Sequence, residues 1–315
     1  RRRRRTCACS FAHSPISTRP ESSSTSEGAS LTSATAGAGT TWTVVVNTGS
    51  GDGTIRVDLA SVTGITDAAG NELAATFSAG TAVTVDKSVP TVSSFTTAVS
   101  SPTNSTSIAY TLTFSESVSG IAAGDFTNAG TATGCTFTPS AASGSSITLP
   151  VTTCSTTGTL QPRLAANGVT DAGGNTGPAA DSDATTTLVL DRVAPAVTSI
   201  ALQAGSDTGT SSSDLITNAT TLTYDLVFDE SVTGVASGDF TNGGTATGCT
   251  FTPSGSGTTY TVSVGSCSEG TVILRFAANG ATDTAGNTGP TSLAAATTVT
   301  IDRTAPTVTT IALQA

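Results

Sequence analysis

Histidine, aromatic residues and charge are all scarce in this chain of 315 residues. There is one histidine, His13; aromatics make up 4% and charged residues 11%. A single histidine outside the repeated part of the chain leaves no ordinary general base and no four-ligand Cys/His metal site. No apolar run approaches the roughly 18 residues of a membrane span. Six of the twelve basic residues, Arg1 to Arg5 and Arg19, lie in the first twenty positions, so residues 21–315 set six bases against 22 acids and carry a net −16. Such a surface repels phosphate backbones, which excludes nucleic acid as a partner of the folded part, and it attracts divalent cations.

Threonine, serine, alanine, glycine and valine dominate instead. Thr and Val suit a pleated, half-buried surface, and Gly with Ser suits turns. The composition predicts many short strands and almost no helix. Residues 1–27 read differently: a basic start with no apolar core is no secretory signal, and a disordered segment is expected there. Cys7 and Cys9 fall in it and receive no role.

The rest of the chain is repetitive. FSESVSGIAAGDFTNAGTATGCTFTPS at 114–140 matches FDESVTGVASGDFTNGGTATGCTFTPS at 228–254; RLAANGVTDAGGNTGPA at 163–179 matches RFAANGATDTAGNTGPT at 275–291. A partial third copy holds TTWTVVV (40–46), TDAAGN (66–71) and VTVDKSVPTV (83–92). The expected organisation is a partial repeat at 28–89, full repeats at 90–194 and 195–305, and the start of another at 306–315, as in a piece of a longer array. Within each full repeat the apolar residues alternate, as in Ile108, Tyr110, Leu112 and Phe114, or Leu222, Tyr224, Leu226 and Phe228. Period two with one apolar face means antiparallel, half-buried strands, and about seven of them in about 110 residues predicts an all-β, two-sheet sandwich.

Cys135 and Cys154 are 19 apart, Cys249 and Cys267 18 apart, and each pair flanks a Gly/Ser-rich tip. A hairpin around the tip brings each pair together as a disulfide, which implies an oxidising compartment. Cys154 and Cys267 are each one residue out of phase with the apolar positions before them, so a bulge is expected just ahead of each.

The phrases F-x-E-S-V-x-G, G-D-F-T-N, D-x-x-G-N and D-[RK]-x-[AV]-P, in fixed order, resemble the bacterial immunoglobulin-like repeats of large surface proteins and adhesins. The resemblance covers about residues 28–315. It implies an extracellular β-sandwich array, placed outside the cell or on its surface, that holds a binding tip away from the cell and is in some members rigidified by calcium at domain junctions.

Each motif has a plain and a sharper reading. In the D-x-x-G-N phrases, Asp67, Asp171 and Asp283 either close a turn or lend a carboxylate to calcium, which needs six to eight oxygens and so more than one turn. Asp86, Asp191 and Asp302 close the last strand of each repeat, ahead of Pro90, Pro195 and Pro306, which stiffen the linker. Glu116, Asp125, Glu230 and Asp239 complete the candidate calcium ligands. Asp125 with Glu116 has the residue types of a glycosidase pair, but the pair recurs in each full repeat with no aromatic platform, and repetition favours scaffold over active site. No enzyme is expected. NST at 104–106 and NAT at 218–220 are N-glycosylation acceptors only in a eukaryotic host. The leading expectation is a stalk segment whose partners are further repeats of the same chain and an unidentified carbohydrate or protein ligand. The alternatives are a carbohydrate- or protein-binding module, or accessory domains of a secreted enzyme.

Overall fold

A computed structural model describes residues 2–7, 16–19, 29–36, 42–59, 62, 69–77 and 80–313. The regular elements of the described residues are strands, with three single 3-10 turns at Ala123–Asp125, Ala204–Ser206 and Ser237–Asp239 and no α-helix. The chain is a series of β-sandwiches, the first of them incomplete.

In the repeat 90–194 the long strand Ser107–Ser119 organises one layer. Strand Ser143–Thr152 pairs with it antiparallel, setting Ile147 opposite Leu112 and Leu149 opposite Tyr110. Strand Val92–Thr96 takes its other edge, and Val169–Asp171 joins its far end. The alternation read from the sequence is the burial pattern: Ile108, Tyr110, Leu112 and Phe114 point inward, while Ala109 and Thr111 are exposed. The second layer is cut into short strands. Thr157–Leu160 pairs with Leu188–Asp191, and Pro162–Leu164 pairs with Phe126–Asn128 and Ser182–Asp183. Leu160, Leu164, Leu188 and Leu190 come from this layer and meet Tyr110, Leu112 and Leu149 in one core. Each fully buried side chain of this size contributes about 1.5–3 kcal/mol.

The repeat 195–305 has the same plan. Strand Thr221–Thr233 carries Leu222, Tyr224, Leu226 and Phe228 into the core, and Leu226 faces Tyr260 across the ladder. Val272, Leu274 and Phe276, which the sequence presents as one series, lie on two strands. Val272 pairs with Val299, but Leu274 and Phe276 pair with Asn242 and Phe240. The chain changes partner at Ile273, whose amide donates to Asn242 Oδ1 at 2.8 Å. Asn242 Oδ1 also accepts Gly244 N, and its Nδ2 donates to the Ala246 and Thr271 carbonyls. Asn128 does the same work in the preceding repeat, accepting from Gly130 and Gln161 and donating to Ala132 and Thr159. An asparagine offers two acceptor sites and two donors, and here all four are used. That is the structural reason for the last letter of G-D-F-T-N.

In the partial repeat, strand Trp42–Thr48 buries Val44 and Val46. Its edges are covered by Arg2–Cys7 on one side and Ala29–Ala36 on the other, and Ile16–Arg19 pairs with Gly53–Leu59. Two segments of the stretch expected to be disordered are therefore strands. The physical reason is edge pairing. Arg2–Cys7 lies against Trp42–Thr48 as Ser107–Ser119 lies against Ser143–Thr152, supplying hydrogen bonds to an edge that would otherwise stand open. Cys9 and His13 lie outside the described residues.

Candidate functional site at the repeat junctions

Three strands meet where one repeat adjoins the next. Asp86 follows the strand Val83–Val85 and closes the partial repeat. Glu116 stands on Ser107–Ser119, and Asp171 ends Val169–Asp171. Carboxylate oxygens of these three residues lie within 4.8 Å of one another. Asp191, Glu230 and Asp283 form the same group at the following junction. Each cluster thus takes one carboxylate from the outgoing repeat and two from the incoming one. A cleft of about 290 Å³ opens beside the first, lined by Thr48, Thr84, Lys87, Gly173 and Asn175 among others.

The D-x-x-G-N phrase builds the incoming side. Asn175 donates its amide to Asp171 Oδ1 at 2.8 Å and its Nδ2 to Asp171 Oδ2 at 2.7 Å. The same Nδ2 reaches across the junction to the Asp86 carbonyl at 3.3 Å. Asn287 repeats this on Asp283 and on the Asp191 carbonyl, at 3.0 Å. The turn and the ligand readings of Asp171 and Asp283 are therefore compatible: each carboxylate holds its turn and lies in the cluster. The asparagines carry the cross-junction bond, and sequence reasoning passed over them; the recurrence of the full phrase was the available signal.

Electrostatics in the cluster are repulsive. Burial raises Glu116 above the usual carboxylate range, and the charges of Asp171, Asp86 and Asp52 raise it further. Glu230 is raised likewise by burial and then by Asp283, Asp191 and Asp229. Burial also pushes Asp171 up, but the hydrogen bonds from the Asn175 side chain and from the amides of Asn175, Gly174 and Gly173 outweigh it and hold its carboxyl below the ordinary range. Hard oxygen donors of like charge held this close suit a hard divalent cation, with water and carbonyls completing the six to eight oxygens of calcium.

The remaining candidate ligands are elsewhere. Asp125 Oδ2 accepts the Ala122 amide and Asp239 Oδ2 the Ala236 amide, both at 2.7 Å, closing the 3-10 turns that seat Phe126 and Phe240. Neither joins a described carboxylate group, because each turn is satisfied within its own repeat. Asp302 accepts the Thr304 amide, and Asp67 lies outside the described residues. Pro90 and Pro195 are buried, each with its backbone against Gly177 or Gly289, where no Cβ would fit. These two linker prolines are seated on the repeat they enter, whereas Pro306 is exposed.

Both disulfides are present, Cys135–Cys154 and Cys249–Cys267, with Cα–Cα distances of 4.0 and 4.2 Å. The ladder sets Thr136 opposite Thr152, which would bring Thr153 rather than Cys154 to Cys135. Thr153 instead adopts φ 58°, and Ser266 adopts φ 60° before Cys267. This left-handed residue absorbs the one-residue phase difference, as a bulge does.

Residues 194–303 match the bacterial Ig-like domain family. The match spans the second full repeat and agrees with the resemblance read from the repeated phrases. No curated protein matches the chain. Among solved structures, one similar chain is described as FdeC, a broadly conserved Escherichia coli adhesin. It is 17% identical, over 94% of this chain and 88% of that one, with a TM-score of 0.37. Another is the D0-D1 domain of intimin, 15% identical over 68% of this chain and 99% of that one, with a TM-score of 0.22. Scores this low leave both as likenesses and nothing more.

Proposed function

We propose that this chain is a spacer segment of a secreted or cell-surface adhesin, whose sandwiches are locked end to end by a divalent cation, calcium, at each junction. The observation that carries the reading is the recurrence of one junction geometry. Asp86 with Glu116 and Asp171, and Asp191 with Glu230 and Asp283, place carboxylates from two successive repeats within 4.8 Å. A cation there offsets the burial and the neighbouring charges that together raise Glu116 and Glu230, and ties two repeats through one ion. Disulfides within the full repeats support an oxidising, extracellular setting and resist removal of the hairpin strands under load. Both full repeats carry the same G-T-A-T-G-C-T-F-T-P-S stretch. Successive identical stretches fit a spacer better than a module with one specialised binding surface.

The test is thermal unfolding and small-angle scattering of the whole chain in calcium and in chelator. Calcium is expected to raise the melting temperature and lengthen the particle, and Glu116→Gln with Glu230→Gln to abolish both changes. Identical melting and dimensions in calcium and in chelator would remove the cation from the account.

A further inference from the structure

The residue after each junction aspartate is basic, and in all three repeats it holds the same loop. Lys87 Nζ donates to the carbonyls of Thr48 and Gly49. Arg303 Nη1 donates to the Cys267 carbonyl at 3.0 Å and Nη2 to that of Ala219 at 2.7 Å. Arg192 makes the fullest set: Nη1 to the carbonyls of Cys154 (3.0 Å) and Ser155 (2.7 Å), and Nη2 to that of Ser105 (2.6 Å). Its backbone amide also donates to the Thr156 carbonyl. The second cysteine of the disulfide, or Gly49 in the repeat without one, therefore presents its carbonyl to the outgoing linker.

Around Arg192 the same residues make the contacts to the next repeat. Asn104, beside Ser105, donates its amide to the Ala285 carbonyl at 3.2 Å, and Asp191, beside Arg192, accepts Asn287 Nδ2. Asp191 N donates in turn to the Thr103 carbonyl. Disulfide, guanidinium and junction form one continuous set of bonds. Cys135, Cys154 and Cys249 are half-buried, whereas Cys267 is only 6% exposed.

We infer that the Cys135–Cys154 disulfide is a redox control on the junction between the two full repeats, acting through Arg192. With the disulfide closed, the carbonyls of Cys154 and Ser155 are fixed and Arg192 is held against Ser105, which orders residues 103–105 and 191 for the next repeat. A dithiol reductant delivers two electrons and two protons, leaving two thiols and becoming a cyclic disulfide itself. The 154–156 segment then keeps only its hydrogen bonds, including Ser155 N to the Thr133 carbonyl and Thr153 Oγ1 to the Gly134 carbonyl. Arg192 loses a fixed partner and the junction loosens. The junction that Lys87 serves has no cysteine at the matching place and is unaffected. The coupling holds with or without a cation in the carboxylate cluster.

Amide hydrogen exchange on the whole chain, oxidised and reduced with dithiothreitol, tests this, with free thiols counted by alkylation. On reduction the amides of Asn104, Asp191 and Arg192 are expected to exchange roughly fivefold faster or more, while those of Leu149, Leu164 and the Lys87 linker keep their rates. Arg192→Gln in the oxidised protein is expected to reproduce the change with the disulfide intact. Unchanged junction amides with all Cys135 and Cys154 thiols free would overturn the inference. So would an Arg192→Gln variant with wild-type junction exchange, or loss of protection throughout the repeat, which would place the effect on the fold.

Discussion

The two full repeats share most of their core rings but take one of them from different strands. In the first, Phe95 on the outer strand meets Tyr110 edge-on at 5.9 Å and Phe126 at 6.5 Å, with Ile147 and Leu164 nearby in the core. In the second, the matching positions are Ile200, Tyr260 and Phe276, and it is Phe276, from the opposite layer, that meets Phe240 at 5.2 Å and Phe228 at 5.6 Å. Both repeats stack one ring, Phe137 or Phe251, on the phenylalanine of G-D-F-T-N at 6.3 Å; what changes is the strand that supplies the further ring against it. The sandwich constrains total volume and the seat of that phenylalanine, and tolerates exchange across the layers. A similar exchange occurs at the surface. Arg163 pairs with Asp183 through two bonds, at 2.6 and 2.9 Å. In the next repeat Ala295 replaces the acid in the same register. Gly243 replaces Ala129, and Arg275 lies over the glycine, where a Cβ would strike its guanidinium.

The strongest test of this comparison is in the core. Phe276→Ala and Phe95→Ala are each expected to cost about 3–5 kcal/mol, read as a lowered calorimetric transition for that repeat within the whole chain. Phe95→Ile alone should destabilise, and adding Leu164→Phe should restore most of the loss. A double variant worse than the sum of the singles would show that the two cores are not interchangeable.

Next in size is an effect the repeats share. Burial pushes Tyr110 and Tyr224 up to about 12. The neutral phenol is favoured in the fold, so the unfolded chain ionises first. This stability is complete below the ordinary tyrosine range near 10 and is lost as pH rises to about 12, by at most roughly 2–3 kcal/mol per residue. Alkaline melting should show both repeats weakening over that window, and Tyr224→Phe should flatten the loss in the second repeat alone. Tyr224 suits the substitution because its hydroxyl has no hydrogen-bond partner among the described residues, whereas that of Tyr110 donates to the Leu160 carbonyl at 3.4 Å. The smallest effect concerns Arg163. Asp183→Ala should cost no more than about 1 kcal/mol, because the pair is exposed; a larger loss in melting would mean that the pair orders its short strand.

Much of this was legible in advance. Alternating apolar positions named the inward faces of the long strands, and the phase of Cys154 and Cys267 announced a bulge that Thr153 and Ser266 supply with their left-handed backbone. Three kinds of fact were not legible. Asp125 and Glu116 looked equally eligible as cation ligands, yet one closes its own turn and the other faces a neighbouring repeat. Asn128 and Asn242 received no role from the sequence, because a side chain with four backbone partners leaves no periodic trace. Residues 2–7 and 16–19 carry no apolar alternation, and their pairing depends on which strand edges stand open nearby.

The sequence by itself determined the inward faces of the long strands and the residues that staple each hairpin, because these follow from local periodicity and from spacing within one repeat. Only the tertiary structure decided which carboxylates meet. Asp86, Glu116 and Asp171 share a site because the end of one strand abuts two strands of the following repeat, and the way two folded bodies abut depends on surfaces assembled from distant parts of the chain.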